Sequence, residues 1–149
     1  MRTLILALGN PILSDDRIGW EVADRLAERT GQIDIIKSSG ATMDIIPKLA
    51  GYEQLVVIDA VKLGSVSPGQ VHRFSLDDLA GTVRPSSPHD INFATAFKMA
   101  KQWGYDIPGD IRIYGIEANE LLKFSENCTP QVAEKLDEIV EYIANDLPH

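Results

Sequence analysis

In the stretch "LGNPILSDDRIG", two adjacent carboxylates, Asp15 and Asp16, stand a few residues beyond an apolar run that ends in Gly9 and Asn10. A third, Asp59, closes the apolar run "QLVVIDA", where aspartate is a poor strand former. A fourth, Glu117, ends "DIRIYGIE". Carboxylates gathered in one place repel each other unless a proton or a cation intervenes, so the chemistry they suggest is a raised pKa or a bound metal. The plainer alternative is local. Acidic residues suit a helix N-terminus, which the pair could cap near Arg17, and Asp59 could cap the turn into "VKLGSVSPG". A cap accounts well for one aspartate and less well for two.

Of the three histidines, His149 is terminal and His72 falls in the strand-like "QVHRFS", so solvated roles are expected for both. His89 differs: in "SSPHDINFATAF" it directly precedes Asp90, a natural helix cap. Opposite two aspartates it would make an Asp/Asp/His set with open positions, whose donors suit nickel, zinc or manganese alike. The loop "SSGATM" carries a glycine that allows close backbone approach to a peptide or phosphate, yet it is neither GxGxxG nor a P-loop, and an ordinary strand-to-helix turn explains it equally well. Cys128 is the only cysteine and has no histidine partner in sequence, which makes it a weak nucleophile candidate. Trp20 and Trp103 lie in helical segments, where packing is the default role.

These residues need a scaffold. Short β-branched runs at Thr3–Gly9, Ile33–Ser38, Gln54–Ala60 and Asp110–Glu117 read as strands. Between and after them run one-sided apolar stripes: Ile18, Val22 and Leu26; Ile45, Ile46 and Leu49; Phe93, Ala96, Phe97 and Ala100; and Val132, Leu136, Ile139, Val140 and Ile143, the last opened by Thr129-Pro130. Strands alternating with helices predict an α/β fold: a three-layer αβα sandwich around a twisted, mostly parallel five-stranded sheet. Gln70–Ser75 follows Asp59 too closely for a helical crossover and is expected as the one antiparallel edge strand. In such a sheet ligands bind beyond the carboxyl ends of the strands, which puts Gly9, Asn10, Asp15, Asp16, Asp59 and Glu117 on one rim. The stretch from Leu76 to Pro88 reads as a long loop of the kind that often serves function.

The 149 residues suit one domain, 1–149, with a sizeable core. Asp and Glu number 22 against 14 Lys and Arg, and the resulting net charge of −8 disfavours nucleic acid and anionic membrane. No apolar run is long enough to span a bilayer, and "MRTLILALGNP" lacks the small-residue cleavage site of a signal peptide. A lone cysteine excludes an internal disulfide and fits a reducing cytoplasm. A monomer is the simplest expectation.

Four segments, "ALGNPILSDDRIGWEVA", "VVIDAVKLGSVSPG", "SSPHDINFATAFKMA" and "YGIEANELLKFSENCTPQV", in this order and at these separations, resemble the hydrogenase maturation proteases over nearly the whole chain. The resemblance implies an endopeptidase that removes the C-terminal extension of a nickel–iron hydrogenase large-subunit precursor after nickel insertion. It maps the family's acidic ligand onto Asp16, the second onto Asp59 and the histidine onto His89, as nickel ligands and as the catalytic set. The nickel would come with the substrate, and no organic cofactor is implied. Asn10 on the same rim, and Gly40, Ala41 and Thr42 in the glycine loop, are the implied substrate contacts. The chain departs from many relatives at Arg17, where they carry glycine, and at Ser38, where they carry aspartate.

A metal at this position could polarise the scissile carbonyl and acidify a bound water while a carboxylate takes the proton; which aspartate does so is left open. Two other classes compete. A receiver-like phosphoacceptor domain also groups an acidic pair and a strand-end aspartate around Mg²⁺, but it expects a lysine where this chain has Glu117. A nonenzymatic nickel-precursor chaperone would use the same three residues without cutting. An ordinary metallopeptidase fits less well, because no H-E-x-x-H helix is present.

Overall fold

In a computed structural model the chain is described over residues 2–30, 33–39, 43–64, 66–76 and 90–147. Five strands, β1 (Thr3–Leu8), β2 (Asp34–Ser38), β3 (Gln54–Val61), β4 (Val71–Phe74) and β5 (Asp110–Glu117), form one sheet in the order β2-β1-β3-β5-β4. Every pairing is parallel except β4 with β5, so the expected antiparallel edge strand is β4. Strand bounds agree with the sequence reading to within a residue. The reason is composition: β3 is buried at all eight positions, as a central parallel strand covered on both faces must be.

Among the described residues, helices α1 (Ile18–Thr30), α2 (Asp90–Gln102), α3 (Pro130–Ala133) and α4 (Leu136–Asp146) accompany the sheet, with 3₁₀ segments at Ser14–Arg17 and Met43–Leu49. The pleat divides the core in two. Ile5, Ala7, Val56, Ile58, Tyr114 and Ile116 face α1 and α4, meeting Ile18, Val22, Leu26, Ile139 and Ile143. Leu4, Leu6, Leu8, Leu55, Val57 and Ile113 face the other way, under Ile45, Ile46 and Leu49 of the second 3₁₀ segment and Phe97 and Ala100 of α2. This is the expected three-layer sandwich. Truncating any of the leucines or isoleucines among them, or Phe97, to alanine would cost about 2–5 kcal/mol.

Two helical readings need correction. Residues 43–49 carry the apolar stripe but wind as 3₁₀, with Pro47 inside, which has no N–H to donate to an α-helical ladder. The C-terminal stripe is two helices: α3 ends after a single turn, and the chain resumes as α4 beyond the junction at Glu134 and Lys135. There the Lys135 stem lies against Gly69, within 2.7 Å of where a Cβ would stand, so only a glycine fits opposite. Trp103 is also misread as packed; it is 60% exposed just beyond α2. The loop expected from Leu76 to Pro88 falls outside the described residues but for Leu76 itself.

Candidate active site

From β1 the chain passes to β2 on one side and from β3 onward to the other, so the carboxyl ends of β1 and β3 flank the switch point of the sheet. Gly9, Asn10 and the Asp15-Asp16 pair leave from β1; Asp59 lies near the end of β3. Two glycines make the approach possible. Gly9 has φ +149°, and a Cβ there would lie 2.1 Å from the carbonyl oxygen of Asp16, so the backbone folds directly onto itself. Gly19 seats the first turn of α1 on the sheet, where a Cβ would come within 2.7 Å of the Ile58 carbonyl oxygen and 2.9 Å of that of Leu8. Residue 58 precedes Asp59, so this contact couples the placement of both candidate aspartates.

The acidic pair divides its labour. Asp15 is fully buried, and its carboxylate accepts hydrogen bonds from the backbone N–H groups of Asn119 (2.8 Å), Glu120 (2.9 Å) and Thr129 (2.7 Å) and from the Thr129 hydroxyl (2.9 Å). It clamps the segment that follows β5 and does not cap its own helix. Thr129 does precede Pro130 at the start of α3, but its hydroxyl serves Asp15 and makes no cap bond. Asp16 is 2% exposed and turns the other way; its Oδ2 accepts the N–H of Asn10 at 3.1 Å. Immediately before the pair, Ser14 has φ +35°, a left-handed conformation that costs a non-glycine residue about 1–2 kcal/mol. The Ser14 N–H is fixed by the Ser125 carbonyl at 3.0 Å.

Asp59 is 2% exposed, with Oδ1 accepting the N–H of Ala60 at 2.8 Å. By the strand alternation it shares the face of Leu55 and Val57, the face that α2 covers. Both candidate aspartates are thus interior groups, Asp59 near the end of β3 and Asp16 in the 3₁₀ segment that follows β1.

Glu117 does not join a self-repelling cluster. It is 1% exposed, and its carboxylate accepts the N–H groups of Leu63 and Gly64, each at 3.1 Å, and meets the His72 ring nitrogen Nε2 at 3.1 Å. His72, expected in solvent, is half-buried against it and stacks on Phe74. The pair anchors the turn after β3. Cys128 is disqualified as a nucleophile: burial above all, with Glu21 beside it, pushes the thiol well above its ordinary range, and it donates to Glu21 at 3.4 Å. Arg17, the departure from the family pattern, binds the carbonyls of Pro11 and Glu126 and the Glu21 carboxylate, tying the segment after β5 to the start of α1. Trp20 packs on the core beside Gly9, with the Lys37 ammonium 5.8 Å over its ring.

Three residues escaped the sequence reading: Ser14, Gly19 and the clamp role of Thr129. Only Gly19 left a signal, since a glycine in the first turn of a helix is unfavourable unless close packing demands it. His89, Gly40, Ala41 and Thr42 lie outside the described residues. Among the described residues no three histidine, cysteine or acidic side chains stand together as a metal site.

The result is a three-layer α/β domain with its candidate chemistry at the sheet's switch point. A model of the hydrogenase maturation protease family matches residues 18–146. The Rhodobacter capsulatus hydrogenase expression/formation protein HupD is 26% identical over 141 residues, 91% of this chain and 66% of that protein. The chain thus spans just under two thirds of that relative's length. The Escherichia coli hydrogenase 2 maturation protease is 23% identical over 96% of this chain and 88% of its own length. Among solved structures, the [NiFe] hydrogenase maturation protease HybD of Thermococcus kodakarensis superposes with a TM-score of 0.81 at 26% identity, covering 97% of this chain and 98% of that one. The chain belongs to the hydrogenase maturation protease family.

Proposed function

We propose that this protein is an endopeptidase that cleaves the C-terminal extension from a nickel–iron hydrogenase large-subunit precursor once nickel has been inserted. The observation that carries the reading is the delivery of two buried carboxylates, Asp16 and Asp59, from β1 and β3 to the switch point of a chain of this family. His89 is the proposed third ligand. Its place in the chain supports this: α2 opens at Asp90, the next residue, and packs Phe97 and Ala100 on the sheet face that Asp59 shares.

Nickel belongs to the substrate in this scheme and acts as its checkpoint. Asp16, Asp59 and His89 supply two oxygen donors and one imidazole, a set that nickel accepts. Bound there, the ion would polarise the scissile carbonyl. The chain's own contribution is positional and basic. Asn10 and Gly9 hold Asp16 in place, the α1 seat at Gly19 holds Asp59, and one of the two carboxylates takes the proton of the attacking water. Asn10, Gly40, Ala41 and Thr42 are the proposed substrate contacts. The protein acts as a monomer in the cytoplasm; no helix among the described residues is long and apolar enough to cross a membrane.

The test is incubation with the precursor, with and without inserted nickel, following the extension by mass spectrometry. Cleavage of the nickel-loaded form alone, reduced at least a hundredfold in Asp16→Ala and His89→Ala, is the expected outcome. Binding without cleavage would make the protein a chaperone, and phosphorylation of Asp59 by a small phosphodonor would make it a receiver.

A further inference from the structure

Three large apolar side chains stand in solvent beside the site: Ile12 is 48% exposed, Leu122 76% and Phe124 81%. They come from two segments more than 100 residues apart in sequence that the fold joins into one surface. Leu13 and Ser125 form a parallel β-bridge, with the Ser125 N–H donating to the Ile12 carbonyl at 2.9 Å and the Ser14 N–H to the Ser125 carbonyl at 3.0 Å. A parallel bridge at that pair sets Ile12 next to Phe124, on the side away from Leu13 and Ser125. Leu121 turns inward and is 9% exposed, which sends its neighbour Leu122 outward. The surface is built and held: the carboxylate of Asp15 clamps Asn119, Glu120 and Thr129 on either side of it, and Arg17 ties down Pro11 and Glu126.

An apolar surface presented on fixed backbone marks an interaction site. Its location names the occupant. Ile12 is four residues before Asp16, a span of at most ~14 Å of extended chain, so whatever enters the site passes over or beside it. We infer that Ile12, Leu122 and Phe124 form the docking surface for the folded body of the large-subunit precursor, which offers a matching apolar patch next to its scissile extension. The inference rests on the function proposed above. In a chain with net charge −8, apolar contact at this surface does the holding and the acidic site does the reading.

The experiment compares wild type with Ile12→Ser/Leu122→Ser/Phe124→Ser and with Phe124→Ser alone, the single change guarding against misfolding. Association with immobilised nickel-loaded precursor is followed by interferometry, processing by mass spectrometry and self-association by sedimentation. The expected result is dissociation at least tenfold faster for the triple variant and threefold for Phe124→Ser, with thermal midpoints unchanged within about 2 °C because the side chains are exposed. Equal dissociation rates would overturn the surface, as would a wild-type dimer that the triple variant loses while precursor binding persists. Wild type that binds without cutting would overturn the endopeptidase reading and leave the surface standing if the variants still bind weakly. Wild type that neither binds nor cuts would overturn both.

Discussion

Asp15 and Asp16 are chemically identical neighbours with opposite burdens. Asp15 is a buried charge satisfied by three backbone N–H groups and one hydroxyl, each charge-assisted bond worth about 1.5–3 kcal/mol against an unmade one. Asn at this position would turn an amide donor toward backbone N–H groups, which only donate. Asp15→Asn is expected to lose about 2–4 kcal/mol, a fall of roughly 5–15 °C in thermal midpoint by calorimetry. Asp16→Asn keeps an acceptor for the Asn10 N–H, so it should melt within a few degrees of wild type while processing of the precursor drops at least a hundredfold. The presence of an acidic pair and of Asp59 at a strand end was legible in the sequence. Which aspartate is scaffold was not, because the partners of Asp15 lie 104 to 114 residues away, beyond any local pattern. His72 and Glu117 failed to read as a pair for the same reason, 45 residues apart and joined only by the β4–β5 register.

At the scale of elements, what the sequence announced was period. Alternation and continuous apolar runs identified all five strands, and α1 showed its stripe of Ile18, Val22 and Leu26, all buried. Stripes do not specify pitch, however, and so the 43–49 segment, with Pro47 inside it, and the break between α3 and α4 were invisible to a count of apolar spacings. Nor does a stripe say how closely an element sits. Gly19 sets that distance for α1. In Gly19→Ala the added methyl meets two backbone carbonyls, which cannot yield as a side chain would, and the helix must lift from β1 and β3. Denaturant unfolding should report a loss of about 1–3 kcal/mol, despite the better helix propensity of alanine, and precursor processing should fall because Asp16 moves with the helix.

For the molecule as a whole, two interior acids set an upper pH limit. Cys128 is raised from an ordinary value of 9.0 by burial and then by Glu21, and Tyr114 from 10.0 by burial and by its hydrogen bond to Asp146. Both groups keep their protons in the folded state at pH values where the unfolded chain has released them. The unfolded state then binds fewer protons, so stability is full below about pH 9 and falls as pH rises through 9 and again through 10. Urea titrations from pH 7 to 11 should show this decline. It should be shallower in Cys128→Ala, which abolishes the first of the two ionisations.

The clamp on Asp15 also fixes a schedule. As the chain emerges from the ribosome, β1, β2 and β3 are complete by Val61 and can pair, since none of them requires the later half. The carboxylate between β1 and α1 still has to wait for Asn119, Glu120 and Thr129. Until translation passes residue 129, burying it would strand a bare charge, so the first loop stays open and the candidate site unassembled. A nascent chain that still lacks Asn119, Glu120 and Thr129 therefore cannot complete the clamp, and the candidate cleft takes shape only after the segment beyond β5 has been made.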